Sequence, residues 1–160
     1  MHCEDIVNPS GTWQHSYRAL EKAYAEGYVQ SIGVSNFDFP LLQSLETSTA
    51  TILPHIVQNW GDLTHWDMDV RAWCELREVI YQPYAINRNI PSYPSSLLYR
   101  LQALANKYRV SIYTINNLAF LQTQAVIIPR STVAEHLQDN LMIPSWRLTS
   151  EELALLGWKP

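Results

Sequence analysis

The spacing of hydrophobic residues predicts helices and strands in alternation through the first part of the chain. Apolar residues recur at helical intervals over 13–26, which predicts an amphipathic helix that ends at Gly27. A run rich in β-branched residues at 28–34 predicts a short strand immediately afterwards. Asp38 is placed to cap a second helix, and residues 52–58 predict the next strand. The order is helix, strand, helix, strand.

The same alternation continues to the end of the chain. A polar, proline-containing stretch at 86–96 predicts a long loop of the kind that often carries function. Pro83 is expected to stop the strand that precedes this loop. The remaining predicted elements are a helix at 70–77, a strand at 78–81, helices at 97–108 and 111–123, a strand at 125–129, a helix at 133–141 and a short final helix opened by a capping box at 149–152.

Strands that alternate with helices predict an α/β fold in which parallel strands are joined by right-handed crossovers. The periodicity alone leaves open whether the sheet is a doubly wound sheet or part of a barrel. The glycine-rich turn of a Rossmann domain is absent from the sequence. Without a linker, repeat or low-complexity segment, residues 1–160 are expected to form a single domain.

Composition narrows the classes of function. The chain is 47% hydrophobic and 16% charged, which is typical of a globular protein. Its net charge of −4 and its scattered basic residues give no electrostatic basis for nucleic-acid binding. An acidic N-terminus and the lack of a long apolar stretch predict a cytoplasmic protein without a membrane segment. Cys3 and Cys74 predict free thiols, and no metal site is expected.

Two separated segments carry a resemblance to a known family. Residues 12–37 resemble the middle signature of the aldo-keto reductases, and residues 126–131 with Asp139-Asn140 resemble their C-terminal phosphate-binding signature. Between them, 57–59 and 79–83 fall where the family's sixth and seventh strands carry a glutamine and a tyrosine. The resemblance covers nearly the whole chain.

The resemblance implies a fold and a reaction. Aldo-keto reductases are (β/α)8 TIM barrels, and this chain would supply strands five to eight with their helices, the C-terminal half of the barrel. In the family, NADPH delivers a hydride to a carbonyl while a tyrosine acts as the acid, assisted by a lysine and an aspartate on earlier strands. The sequence offers no residue for those three positions. His2 resembles the family's catalytic histidine, the one catalytic residue that remains.

The nicotinamide end of the cofactor has four candidate residues by this resemblance. Ser35, Asn36 and Gln58 resemble the group that holds the nicotinamide carboxamide and so decides which face of the ring presents its hydride. Tyr81 resembles the tyrosine that stacks under the ring. The alternative for Tyr81 is a tyrosine packed in the core.

The adenosine end has three candidates. Arg130 and Ser131 resemble the pair that binds the 2′-phosphate, since a guanidinium matches phosphate oxygens and a hydroxyl adds a donor. This pair favours NADP over NAD. Asn140 resembles an adenine contact, whereas His136 falls where many members carry a second arginine. Gln82 and Tyr84 also replace the residues that usually follow the stacking tyrosine.

The resemblance predicts an NADPH-dependent oxidoreductase that reduces a small-molecule carbonyl, an aldehyde or ketone, to an alcohol. One alternative is a catalytically inactive pseudoenzyme that binds a nucleotide or a partner. Another is a homodimer that completes or covers the half-barrel at its edge strands. The chain is also consistent with a fragment of a longer protein.

Overall fold

The computed structural model describes residues 13–48, 50–141 and 144–159. The predictions for His2 and Cys3 lie outside these ranges. In chain order the elements are α1 (Trp13–Ala25), β1 (Gly33–Ser35), α2 (Phe39–Thr47), β2 (Ile56–Trp60), α3 (Met68–Leu76), β3 (Ile80–Tyr84), a 3-10 turn (Ile90–Ser92), α4 (Ser95–Tyr108), α5 (Ile112–Gln122), α6 (Ala134–Leu141) and α7 (Ser150–Leu155).

The chain divides into two compact units. The described residues of the first unit fall within Met1–Asn59 and Asp67–Gln82, and those of the second fall within Trp60–Trp66 and Pro83–Pro160. The first unit holds α1 to α3, β1 and most of β2 and β3, whereas the second holds α4 to α7. The prediction of a single domain over 1–160 stays a prediction.

The strands form a parallel sheet in the order β1-β2-β3 within the described residues. The register pairs Gly33 with Ile56 and Ser35 with Gln58. Gly33 is required there because a Cβ atom at this position would lie 2.7 Å from the carbonyl oxygen of Ile56. The predicted α/β class with parallel strands is confirmed.

Helix α1 is fixed to the segment that leads into β2. The Tyr17 hydroxyl donates to the carbonyl oxygen of Ile52 at 2.9 Å. One carboxylate oxygen of Glu21 accepts from the backbone N–H groups of Thr51 at 2.6 Å and Ile52 at 2.8 Å. These hydrogen bonds join the middle of α1 to the backbone that leads into β2. Burial raises the pKa of Tyr17, so its hydroxyl stays a neutral donor.

Asn59, near the end of β2, binds the turns that follow β1 and precede α3. Its Oδ1 accepts from the N–H of Phe37 at 3.1 Å, and its Nδ2 donates to the carbonyl oxygen of Phe37 at 2.8 Å. The same Nδ2 donates to Asp67 Oδ2 at 2.9 Å. Asn59 and Phe37 are both buried, so these hydrogen bonds hold the backbone at the carboxyl end of β1 in one position.

The second unit is built around α5, a helix that is buried from Thr114 to Phe120. Leu101 of α4 and Leu156 are fully buried in the same unit, and the ring of Trp66 stacks on Phe120 with centroids 4.7 Å apart. Ser111 caps α5 by accepting from the N–H of Thr114. A helix that is buried on most of its surface needs other elements on several sides, which α4, α6 and Trp66 provide in part.

Helix α7 carries the predicted capping box. The Thr149 hydroxyl accepts from the N–H of Glu152, and the Glu152 carboxylate accepts from the N–H of Thr149 at 2.8 Å. The same carboxylate binds Lys107 Nζ at 2.7 Å and the Tyr108 hydroxyl at 2.8 Å. Burial raises the pKa of Glu152, but hydrogen bonds from Lys107, Thr149 and Tyr108 outweigh burial and lower it overall.

Two strand predictions differ from the structure. Pro83 was expected to stop the third strand but lies inside β3. The N–H of Ile80 and the carbonyl oxygen of Tyr84 form hydrogen bonds on the side of the strand that faces β2. Pro83 alternates with these residues, so its nitrogen faces the outer edge of the sheet, where no N–H donor is needed. Residues 125–129 form no strand, and Val126 and Ile128 are 46% and 38% exposed. A β-branched run becomes a strand only where a neighbouring strand supplies hydrogen bonds, and the described sheet supplies none to it.

The other predicted elements form with shifted ends. The predicted strands at 28–34 and 52–58 shorten to Gly33–Ser35 and move to Ile56–Trp60. Asp38 caps α2 as expected, since its side chain accepts from the N–H of Leu41 at 2.9 Å. Among the described residues, no helix is both long and apolar enough to cross a membrane.

Replacing Asn59 by aspartate should destabilise the protein on the order of 3 kcal/mol, because a buried carboxylate would face the carbonyl oxygen of Phe37 and the carboxylate of Asp67. Asn106→Asp is the matched control. Asn106 is exposed, and its Oδ1 accepts from Gln102, a bond that aspartate keeps. The control should cost less than about 1 kcal/mol. Urea unfolding of both variants measures the difference, and equal losses would contradict the assigned role of Asn59.

The stability of the protein should depend on Glu152 in acid. Because the pKa of Glu152 is lowered from its ordinary value of 4.5, its contribution is complete above that pH and is lost as pH falls through the lower folded-state pKa. Glu152→Gln should therefore be less stable than wild type at neutral pH, and the difference should shrink below pH 4.5. Glu135→Gln, at an exposed position of α6, is the control and should keep the wild-type slope. The measurement is the thermal midpoint against pH.

Candidate functional site

The first unit brings together three predicted residues at the carboxyl ends of β1 and β2. Ser35 and Gln58 are register partners in the parallel pair. Asn36 follows directly and donates its N–H to the carbonyl oxygen of Gln58 at 3.0 Å. Asn36 has a φ of 56°, a left-handed conformation that asparagine tolerates better than most residues. The turn after β1 therefore places these polar side chains at one edge of the sheet.

The hydrogen bonds of this group show what it could hold. Ser35 is buried, and its Oγ makes no hydrogen bond within the described part of the chain. Gln58 Nε2 donates to Gln82 Oε1 at 2.7 Å. A buried hydroxyl with an unused donor and acceptor matches a ligand with both kinds of group, such as a carboxamide.

Tyr81 lies on the opposite face of the sheet from this group. The bond between Gln58 and Gln82 places both side chains on one face, so the residue between Ile80 and Gln82 points to the other. There Tyr81 is 5% exposed, and its hydroxyl donates to Asp67 Oδ2 at 3.1 Å. Tyr81 therefore lies in the core, as the alternative interpretation predicts, and its role in stacking under the nicotinamide ring stays a prediction.

The surroundings of Tyr81 are polar as well as buried. The guanidinium of Arg71 lies 4.9 Å from the centre of the Tyr81 ring. Burial raises the pKa of Tyr81 well above its usual value, and the charge of Asp67 raises it further. Burial also lowers the pKa of Arg71 and raises that of the Cys74 thiol to about 12. Tyr81 is thus a neutral donor, and Cys74 is an unreactive thiol.

The second unit contains a cleft of about 890 Å³. Arg130, Ser131 and Asn140 line it, so the three residues predicted to bind the adenosine end lie together. Tyr84 and Arg88 also line the cleft, although neither residue was predicted from the sequence to bind a ligand. The signal was available in part, because Arg88 lies in the long polar loop that predicted a functional segment.

Arg130 and Ser131, the two candidates for phosphate binding, differ in the contacts that they make within the chain. Arg130 is exposed and forms no salt bridge among the described residues. The Ser131 hydroxyl accepts from the N–H of Val133 at 3.0 Å and donates to the carbonyl oxygen of Val133 at 3.3 Å. This local bond holds Ser131 at the entry to α6. The charge of Arg130 is therefore available to a ligand.

Other polar groups extend the lining beyond these residues. His136, on α6, is exposed, and its ring lies 5.5 Å from that of Tyr113. Asn140 Oδ1 accepts from Asn117 Nδ2 at 2.9 Å, so α5 fixes this side chain from behind. The cleft also has a carboxylate, that of Asp139. Guanidinium, imidazole and amide groups together suit a ligand that carries both phosphate and a hydrogen-bonding base.

Two further predictions concern the catalytic role of His2 and the metal site, which was not expected. His2 lies outside the described residues, so its catalytic role stays a prediction. In the described ranges, no group of three or more histidine, cysteine or carboxylate side chains is arranged to hold a metal ion.

Known proteins similar to this chain are aldo-keto reductases. No family model matches it. The silkworm (Bombyx mori) aldo-keto reductase AKR2E4 is 30% identical over 160 residues, 96% of this chain and 50% of the relative. Chicken (Gallus gallus) aldo-keto reductase family 1 member A1 is 27% identical over 94% of this chain and 50% of its own length. The chain thus spans about half the length of these relatives.

A solved structure shows the same relation in three dimensions. The crystal structure of Bombyx mori AKR2E4 in complex with NADP superposes with a TM-score of 0.78 at 28% identity, covering 88% of this chain and 48% of that one. The shared extent agrees with the half-barrel predicted from the sequence. The chain is therefore similar to the aldo-keto reductases over about half of their length, and its α/β fold corresponds to part of a TIM barrel.

Proposed function

We propose that the cleft of the second unit binds the adenosine 2′-phosphate end of NADP(H), and that the chain is the cofactor-binding part of an oxidoreductase of the aldo-keto reductase type. The observation that carries the proposal is the placement of Arg130, Ser131 and Asn140 in one cleft of about 890 Å³. Its volume falls within the range of roughly 300 to 1,000 Å³ usual for small-molecule sites.

The phosphate assignment follows from charge and donor geometry. The Arg130 guanidinium offers several N–H donors in a plane, which match two oxygens of one phosphate. It is exposed and has no carboxylate partner among the described residues, so phosphate binding breaks no ion pair. Ser131 adds a hydroxyl donor next to it. NAD lacks the 2′-phosphate, so this pair supports NADP as the cofactor.

The nicotinamide end is assigned to the first unit. Ser35 has a buried hydroxyl without a partner in the described residues, and Gln58 is its register partner with an amide. A carboxamide has one acceptor and two donors, which Ser35, Asn36 and Gln58 match. When bound, the nicotinamide supplies the hydride for carbonyl reduction, while these residues fix which face of the ring is presented.

The reaction and its assembly extend this proposal. The similarity to aldo-keto reductases supports reduction of a small aldehyde or ketone to an alcohol, and the silkworm relative was solved with NADP. By the family resemblance, we expect no counterpart of the catalytic tyrosine, lysine and aspartate in this sequence. A nucleotide-binding pseudoenzyme is the alternative, and its mark is saturable cofactor binding without turnover. The homodimer over the sheet edges and the cytoplasmic location remain predictions.

Replacing Arg130 by alanine should weaken NADPH binding by about tenfold to a hundredfold, because a charge-assisted contact to phosphate is lost. NADH binding should change much less, since NADH has no 2′-phosphate. Titration with NADPH and NADH, followed by nicotinamide fluorescence, measures both. Arg147→Ala is the matched control, because Arg147 is exposed in the same unit and does not line the cleft.

The outcomes of this titration separate the candidates. Absence of NADPH binding at millimolar concentration, or equal losses in Arg130→Ala and Arg147→Ala, would overturn the cofactor assignment. Where NADPH binds, its oxidation in the presence of a simple aldehyde, recorded by absorbance, supports the oxidoreductase. Binding without oxidation supports the pseudoenzyme. The oligomeric mass, measured on the same sample, tests the homodimer.

A further inference from the structure

Four asparagine side chains in the second unit form a chain of amide hydrogen bonds that ends in the cleft. Asn116 Nδ2 donates to the carbonyl oxygen of Ile86 at 3.0 Å and to Asn87 Oδ1 at 2.7 Å. Asn87 Nδ2 donates to Asn117 Oδ1 at 2.9 Å. Asn117 Nδ2 donates to Asn140 Oδ1 at 2.9 Å. Asn87 and Asn140 line the cleft, whereas Asn116 and Asn117 lie behind it, fully buried.

The direction of the whole chain is fixed at its inner end. A backbone carbonyl only accepts, so the Asn116 group that faces Ile86 must be its NH₂. Asn87 must then present oxygen to Asn116 and its NH₂ to Asn117. Asn117 in turn presents its NH₂ to Asn140. Reversing any one amide would place two donors or two acceptors against each other in at least one link.

Burial makes this direction costly to change. Asn116 and Asn117 are fully buried, so a reversed amide finds no water to replace a lost partner. Asn116 Oδ1 is itself buried without a hydrogen bond in the described part of the chain.

We propose that this asparagine chain makes Asn140 a dedicated hydrogen-bond donor, with Nδ2 directed at an acceptor nitrogen of the purine bound in the cleft. The inference rests on the proposed binding of the adenosine end there, and it adds the polarity with which the base is read. Asn116, Asn87 and Asn117 are positioning residues, because they act on the base through Asn140.

Adenine and hypoxanthine distinguish a donor from an acceptor at this position. Both purines carry the acceptor N7, but beside it adenine has an amino donor whereas hypoxanthine has a carbonyl oxygen. When the Asn140 amide is the hydrogen-bond donor, either base can bind, since each base offers an acceptor. An accepting group would favour adenine and repel hypoxanthine. The ratio of the two dissociation constants therefore reports the polarity of residue 140.

The test compares adenosine 2′,5′-bisphosphate with inosine 2′,5′-bisphosphate by isothermal titration calorimetry. Asn140→Asp keeps the acceptor for Asn117 but removes the donor to the base. It should raise the hypoxanthine-to-adenine ratio of dissociation constants by about tenfold relative to wild type. The added charge acts equally on both ligands because their phosphates are identical, so it cancels in the ratio.

Asn117→Asp tests the positioning role. An aspartate at 117 cannot donate to Asn140, so the Asn140 amide should turn its NH₂ inward and its oxygen toward the base. The ratio should again rise by about tenfold. Asn106→Asp makes the same chemical change on the exposed face of α4 and should leave the ratio unchanged.

The results distinguish failure of this inference from failure of the proposed function. Binding of both nucleotides to wild type with an unchanged ratio in Asn140→Asp would overturn the donor role and leave the cofactor site intact. A raised ratio in Asn140→Asp with an unchanged ratio in a folded Asn117→Asp would overturn the positioning role alone. No binding of either nucleotide to wild type would overturn both the cleft assignment and this inference.

Discussion

The parallel pairing of β1 with β2 in a single register is the constraint on which the first unit depends. It requires Gly33, because any side chain would meet the carbonyl oxygen of Ile56. It also sets Ser35 beside Gln58, so a shift by one residue would turn one of these side chains to the opposite face. Asn59 then holds the turn after β1 through both polar atoms of Phe37. Close backbone approach and amide bonding thus place the polar edge.

The second unit achieves the same precision with a helix. Helix α5 is buried along most of its length, which removes the freedom of its polar residues to find water. Asn116 and Asn117 instead bond through Asn87, which lies between them in a chain that begins at a backbone carbonyl and ends at Asn140. Hydrophobic burial on either side makes the polar chain rigid, and the polar chain gives the cleft wall a defined pattern of donors.

Local periodicity predicted the α/β class, and the resemblance to the aldo-keto reductases implied the clustering of Arg130, Ser131 and Asn140. Periodicity placed strand ends less well and predicted a strand at 125–129 that the structure lacks. A strand depends on a partner supplied from elsewhere in the chain, which local pattern does not encode. The core position of Tyr81 depends on contacts with Asp67 and Arg71, which lie at the start of α3, and the asparagine chain joins three separate segments.

The groups in the cleft divide into two physical classes, and the division bears on how a nucleotide would be read. Arg130 is exposed, so its attraction for phosphate is screened by water and salt and depends little on exact position. Asn140 is held by a buried partner, and its hydrogen-bonding polarity is determined before any ligand arrives. An exposed guanidinium attracts any phosphate group. A preset amide in a partly buried wall decides which kind of atom it can pair with, because a ligand that presents another donor there leaves it unpaired.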